Sequence, residues 1–270
     1  MSSGCRAVFV TGTDTDAGKT YVSALLVRHL RAAGHSVGAY KPVVSGAVPA
    51  PAGRNARTGS IEPTDRPPEG TDDQRERWAW PDVEILREAC GFEPASEPAA
   101  WISLQRFREP LAPPMAARQE GRSVCLQTIR RGLQWWLERV EFLLIEGAGG
   151  LLCPLTETLT VADLAASCAC PILLVARAEL GTINHTLLTV AAARQRRMSL
   201  AGIVVNQTDP NTPEALVSAN VSEIERRGGV PVLAVVRYGE TRLPPPRPNV
   251  TIRWEDAFGP LRAEAPAAGR

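Results

Sequence analysis

The chain has no apolar run approaching the roughly 20 residues that a membrane-spanning helix needs, so no spanning segment is expected. It has no surplus of charge either. Thirty Lys and Arg against 29 Asp and Glu leave a formal net charge of +1. A surface so balanced exerts no strong pull on nucleic acid or on a membrane, and neither is expected as a partner. The first residues lack the long apolar stretch and small-residue cleavage site of a signal peptide. Cysteine is scattered, at Cys5, Cys90, Cys125, Cys153, Cys168 and Cys170. Cys168 and Cys170 form a C-x-C pair, but no second Cys/His pair stands at zinc spacing. The pattern predicts six reduced thiols in a cytoplasmic protein.

What is present is an alternation. Short apolar segments, Ala7–Thr11, Val37–Tyr40, Phe142–Ile145, Ile172–Ala176 and Ile203–Val205, read as buried strands. Helical patterns stand between or after them: Tyr21 to Ala33 closed by Gly34, Asp82 to a closing glycine, and stretches near Leu126–Arg139, Val161–Ser167, Ile183–Arg196 and Pro213–Arg227. Fully apolar strands alternating with helices predict a doubly wound, mainly parallel α/β sheet with helices on both faces. Pro42 to about Pro81 breaks the pattern with Pro, Gly, Ser, Thr and charge and reads as a surface loop or insertion. The expected organisation is one domain over residues 1–240, with the insertion near 46–80, and a loosely held, Pro-rich tail over 241–270.

Four segments carry chemistry, each at the carboxyl end of a strand. In GTDTDAGKT, Gly12 to Thr20, a strand runs through a glycine-bearing turn into a helix opening with Gly18-Lys19-Thr20. Backbone N–H groups and a helix N-terminus there would cradle a phosphate. Lys19 would reach the β- and γ-phosphates, and the Thr20 hydroxyl would hold Mg²⁺. The usual spacing puts a glycine where this chain has Thr13, one place after Gly12. In YKPVVSG, Tyr40 to Gly46, Lys41 is either a solvated surface cation or a stabiliser of charge on a transferring phosphoryl group. In IEGAGG, Glu146 emerges after four apolar residues, where a carboxylate beside a phosphate loop commonly holds Mg²⁺. Gly147, Gly149 and Gly150 would let the backbone approach a ligand. In ELGTINHTLLT, the start of the helix near Thr182 to Asn184 offers donors suited to a carboxylate. His185 reads as a packed or surface histidine.

Together these segments resemble the dethiobiotin synthetase family, over roughly Val8 to Asn206. The resemblance rests on GTDTDAGKT, YKPVVSG, the helix at Asp82, EPLAPPMAARQEGR, EGAGG-x-x-x-PL, LGTINHTLLT and GIVVNQ. It implies a P-loop NTPase-type fold and an ATP- and Mg²⁺-dependent enzyme. Such an enzyme closes 7,8-diaminopelargonate and CO₂ into dethiobiotin through a carbamate and a carbamic–phosphoric anhydride, in biotin biosynthesis. It implies Lys19 and Lys41 as the charge-stabilising pair, and Thr13 and Ser45 as substrate contacts. Asp16, Ala17, Gly18, Lys19, Thr20 and Tyr21 would line the nucleotide, with Gly147, Ala148 and Gly149 beside it. Thr20, Asp82 and Glu146 are implied as the metal set, with Asp72 and Asp73 as rivals for Asp82. Gly181, Thr182, Ile183 and Asn184 would bind the substrate carboxylate across a homodimer interface, and Asn206 and Gln207 would read adenine. Arg237 stands where the family commonly has a proline, so it would either relax base selectivity or point to solvent.

Two other classes share this loop chemistry. ATPase switches of the partition or septum-placement kind carry a lysine five residues before the loop lysine, where this chain has Asp14. Amidoligases of the cobyrinate-diamide type usually carry a glutaminase domain, for which the chain has no room.

Overall fold

The structure, a computed structural model, describes residues 4–50 and 78–261. A six-strand parallel path forms its centre: β1 (Arg6–Gly12), β2 (Val37–Tyr40), β7 (Phe142–Gly150), β8 (Ile172–Arg177), β9 (Leu200–Asn206) and β10 (Val232–Val236). Their order across the sheet is β10-β9-β8-β1-β7-β2. β1, which carries the phosphate-loop sequence at its end, therefore lies centrally, flanked by β7 and β8.

The strands bury successive residues, as a sheet covered on both faces requires. Alternate side chains of β8 and β9 fall into different cores. Leu173, Val175 and Val204 join the large cluster that includes Leu25 and Leu26 of α1 (Lys19–Ala32). Leu174, Ala176, Ile203 and Val205 join the other, with Val190 of α7 (Thr182–Gln195) and Val217, Val221 and Ile224 of α8 (Glu214–Gly228). Period-two alternation thus sends one strand into two layers of helix. α2 (Pro81–Cys90) packs on α1 and β2. It opens on a proline, whose missing N–H costs nothing in the first turn, and stops at Gly91, φ 69°.

Smaller elements complete the frame. β3 (Val43–Val44) pairs with β6 (Gln105–Arg106) in parallel. β4 (Val48–Pro49) pairs antiparallel with β5 (Trp78–Ala79), so the two ends of the segment absent from the description, residues 51–77, meet at a short neck. The Trp80 indole N–H then donates to the Phe107 carbonyl at 2.9 Å, fixing the entry into α2. The remaining helices are α3 (Glu97–Trp101), α4 (Pro113–Gln119), α5 (Leu126–Leu137) and α6 (Val161–Cys168). All six cysteines are free thiols.

The tail differs from expectation. Residues 241–261 are held rather than loose, while 262–270 lie outside the described residues. Trp254 and Phe258 are buried, and β11 (Gly259–Pro260) pairs antiparallel with the start of β1. The Arg6 guanidinium donates to the carbonyls of Phe258 and Glu255, each at 2.6 Å. Proline-rich composition predicted a loose segment, but two buried aromatic side chains and a clamped backbone outweigh it.

Candidate functional site

The carboxyl edge of the sheet brings the phosphate loop together with Lys41, Asp82 and Glu146. Asp16 and Gly18 both adopt left-handed backbone, φ 59° and 83°, the kind of turn that can present successive N–H groups to an anion. Gly18 is required for a second reason: a Cβ there would run into the amide of Asn206. At Gly12 a Cβ would come within 2.7 Å of the Asp14 carbonyl, closing the turn. Lys19 folds back over this turn and donates to that Asp14 carbonyl at 3.0 Å. Burial, the largest influence, lowers the Lys19 pKa, and neighbouring Lys41 adds to the effect against the pull of Glu146.

Register places Lys41 beside Glu146. β2 and β7 pair Tyr40 with Ile145, so the next residue of each strand falls opposite the other. The Lys41 ammonium donates to Glu146 Oε1 at 2.6 Å and pairs with Asp82 Oδ2 at 2.7 Å. The Thr20 hydroxyl donates to the same Glu146 oxygen at 2.6 Å and lies within reach of Asp82. Burial opposes the charge on Lys41 more than any other single influence, yet Glu146 and Asp82 together hold its pKa above the ordinary value. For Asp82 burial pushes upward, but Lys41 and the Thr20 hydroxyl overcome it and hold the carboxyl below its usual range.

The donor set suits Mg²⁺. Glu146 is wholly buried, and its Oε2 has no hydrogen-bond partner, an orphaned acceptor that a hard cation would satisfy. With Thr20 and Asp82 it offers only oxygen. Among the described residues no three His, Cys, Asp or Glu side chains cluster to hold a metal alone. A cation here would therefore complete its shell with phosphate and water oxygens, as Mg²⁺ usually does.

On the other side of the loop, Asn206 at the end of β9 donates through Nδ2 to the Ala17 carbonyl at 3.1 Å. Its Oδ1 is buried and unpartnered. The Gln207 amide donates to the carbonyls of Asp209 and Thr212, at 3.2 and 3.3 Å. Glu179, which the sequence did not single out, fastens this loop: its Oε1 accepts from Thr208 N and Oγ1, each at 2.9 Å. It heads the segment ELGTINHTLLT, but its role follows from two loops meeting, which the sequence does not show. Arg237 is not turned to the loop; it makes a two-pronged ion pair with Glu214, and both side chains are exposed. Tyr21 is half-exposed, and its hydroxyl donates to the Glu240 carbonyl.

Thr13 is held by its N–H to the Val175 carbonyl at 2.9 Å, and Ser45 directly follows β3. Gly147 is buried, with Ala148 and Gly149 partly exposed behind it on β7. Gly181, φ 92°, opens α7, with Thr182, Ile183 and Asn184 in its first turn. Leu180, beside this turn, is 88% exposed. Asp72 and Asp73 lie outside the described residues.

A glycine-bearing loop closed by Lys-Thr, with paired carboxylates and a buried lysine at the carboxyl edge of a parallel sheet, defines a P-loop NTPase-type α/β protein. A family model for an AAA domain matches residues 6–244. The ATP-dependent dethiobiotin synthetase BioD of Anaeromyxobacter dehalogenans is 44% identical over 221 residues, 82% of this chain and 85% of that protein. That of Phenylobacterium zucineum is 36% identical over 86% of this chain and 88% of that protein. MinD of Pyrococcus horikoshii has a TM-score of 0.48 at 14% identity, covering 86% of this chain and 81% of that one. The chain belongs to the ATP-dependent dethiobiotin synthetase family.

Proposed function

We propose that this chain forms dethiobiotin from 7,8-diaminopelargonate, CO₂ and ATP, as a Mg²⁺-dependent ligase of the cytoplasm. The observation that carries the reading is the cluster of Lys41, Thr20, Asp82 and Glu146 beside the phosphate loop, in a chain of this family. One substrate amine adds to CO₂ and loses a proton, and the carbamate oxygen then attacks the γ-phosphorus of ATP, from which ADP departs. The second amine then closes onto the carbamoyl carbon, and phosphate leaves. No protein nucleophile is needed. The chain's task is alignment and neutralisation of crowded anions.

In this reading the loop from Asp16 to Tyr21 grips the phosphates through its N–H groups, and Lys19 leaves the Asp14 carbonyl for them. Lys41 neutralises charge on the carbamate and the transferring phosphoryl group. Thr20, Asp82 and Glu146 would hold Mg²⁺, which would supply neutralisation of phosphate charge when bound. Gly147, Ala148 and Gly149 lie along the nucleotide. Asn206 Oδ1 accepts from the adenine amino group, and Gln207 stiffens the loop behind it. Thr13 and Ser45 contact the diamine, and the first turn of α7 binds the substrate carboxylate from the second subunit of a homodimer.

The test is phosphate release coupled to product analysis. ATP consumption is expected only when diaminopelargonate, bicarbonate and Mg²⁺ are all present, with dethiobiotin formed in equal amount. Rapid hydrolysis without the diamine would instead favour an ATPase switch.

A further inference from the structure

Lys41 sits where the two carboxylates would receive a cation. Its ammonium is 2.6 Å from Glu146 Oε1 and 2.7 Å from Asp82 Oδ2, and the Thr20 hydroxyl occupies the same Glu146 oxygen. Mg²⁺ needs oxygens at about 2.0–2.1 Å in a near-octahedral array. An ammonium bonded to Glu146 Oε1 and Asp82 Oδ2 occupies those two oxygens and repels a divalent ion approaching the free Oε2.

We propose that Lys41 is the resting counter-ion of the metal-binding carboxylates and competes with the divalent cation for them. The inference rests on the reading of Asp82 and Glu146 as the metal pair. The lysine is built to move without its strand moving. Its backbone N–H is fixed to the Ile102 carbonyl at 2.7 Å, while the ammonium rides on a flexible four-carbon stem. Lys19 is held in the same fashion on the Asp14 carbonyl. Bound phosphates would give both ammonium groups a new anionic partner. The cation that neutralises the reacting group therefore stays locked on Glu146 and Asp82 until nucleotide and metal load together, which couples site assembly to the arrival of both.

The test uses Mn²⁺ alone, titrated into nucleotide-free wild-type, Lys41→Met and Lys41→Arg proteins, with free Mn²⁺ read by electron paramagnetic resonance. Removing a like charge from so dry a site is expected to tighten Mn²⁺ binding by about tenfold in Lys41→Met. Lys41→Arg keeps the charge and stays near wild type. Adding Glu146→Gln to Lys41→Met abolishes the gain. A gain below about threefold, less than roughly 0.7 kcal/mol, overturns the proposal. Should Lys41→Met not fold without metal, Lys41→Gln, which keeps a donor for Glu146, is judged by the same thresholds. Dethiobiotin formation by the wild type is assayed alongside. No product sinks the functional reading, whereas product with unchanged Mn²⁺ affinity sinks only the competition.

Discussion

Replacing Lys41 by methionine in the metal-free protein removes the positive partner of a carboxylate with no exposed side-chain surface. The Lys41 side chain is itself only 5% exposed, so water does little to screen the pair. Breaking such a buried pair from one side costs about 3–5 kcal/mol, because the orphaned charge stays behind. Glu146 retains the Thr20 hydroxyl bond, which places the expected loss near the lower bound, about 3 kcal/mol. Asp82, 41% exposed on its side chain, adds little to this loss because water can take over its solvation. For a chain of this length the loss corresponds to a fall in Tm of roughly 6–12 °C. The assay is urea unfolding followed by circular dichroism, in chelator and without nucleotide. Lys41→Met/Glu146→Gln should cost at least about 1 kcal/mol less than the two single losses added, since it removes both charges. The folded pKa of Lys41 is raised, so its contribution is complete below the unfolded-chain value and is lost only as pH climbs through the folded one. Neutral buffer therefore reports the whole effect. A single-variant loss under about 1 kcal/mol, or strict additivity in the double variant, would refute the claim that Glu146 depends on Lys41.

Lys19→Ala should lower kcat/KM by about a hundredfold, near 3 kcal/mol, the range for losing one preorganised charge-stabilising donor; steady-state kinetics that retain near-full activity would remove it from the mechanism. Asp82→Asn should raise the Mg²⁺ concentration for half-maximal rate, and a rise in Asp72→Asn or Asp73→Asn but not in Asp82→Asn would reassign the ligand. Because Arg237 is engaged with Glu214 at the surface, Arg237→Ala should leave the ratio of kcat/KM for ATP over GTP within about twofold of wild type, under roughly 0.4 kcal/mol. A larger change would mean that the arginine reaches the base in the loaded enzyme.

The alternation of strands and helices was legible because the central strands are short apolar runs and half of the described helices stop near a glycine. Val37–Tyr40 matched residue for residue, and Phe142–Ile145 was the buried front of a strand that continues to Gly150. The phosphate loop was legible because its chemistry lies within nine consecutive residues. Lys41 was singled out in YKPVVSG, but only the family resemblance chose between a surface cation and a charge stabiliser, since a lysine after a short strand has no local mark. Its partners come from the register of β2 on β7 and from a helix forty residues along the chain. The tail was misread because burial there depends on isolated aromatics, Trp254 and Phe258, too far apart to form a periodic pattern. Asn206 was found from its position after GIVV, but its bond to Ala17 depends on how closely β9 approaches the phosphate loop.

The placement of β1 also bears on how the chain is made. It leaves the ribosome before any of its partners: the lateral ones begin at Phe142 and Ile172, and the antiparallel one is Gly259–Pro260. At about 5–20 residues per second, translation takes roughly 7–26 s to travel from the end of β1 to the start of β7. For that interval the apolar RAVFVTG segment has no sheet to enter and both of its hydrogen-bonding edges are open. The nascent chain must therefore keep a central strand waiting until strands more than a hundred residues later arrive to flank it.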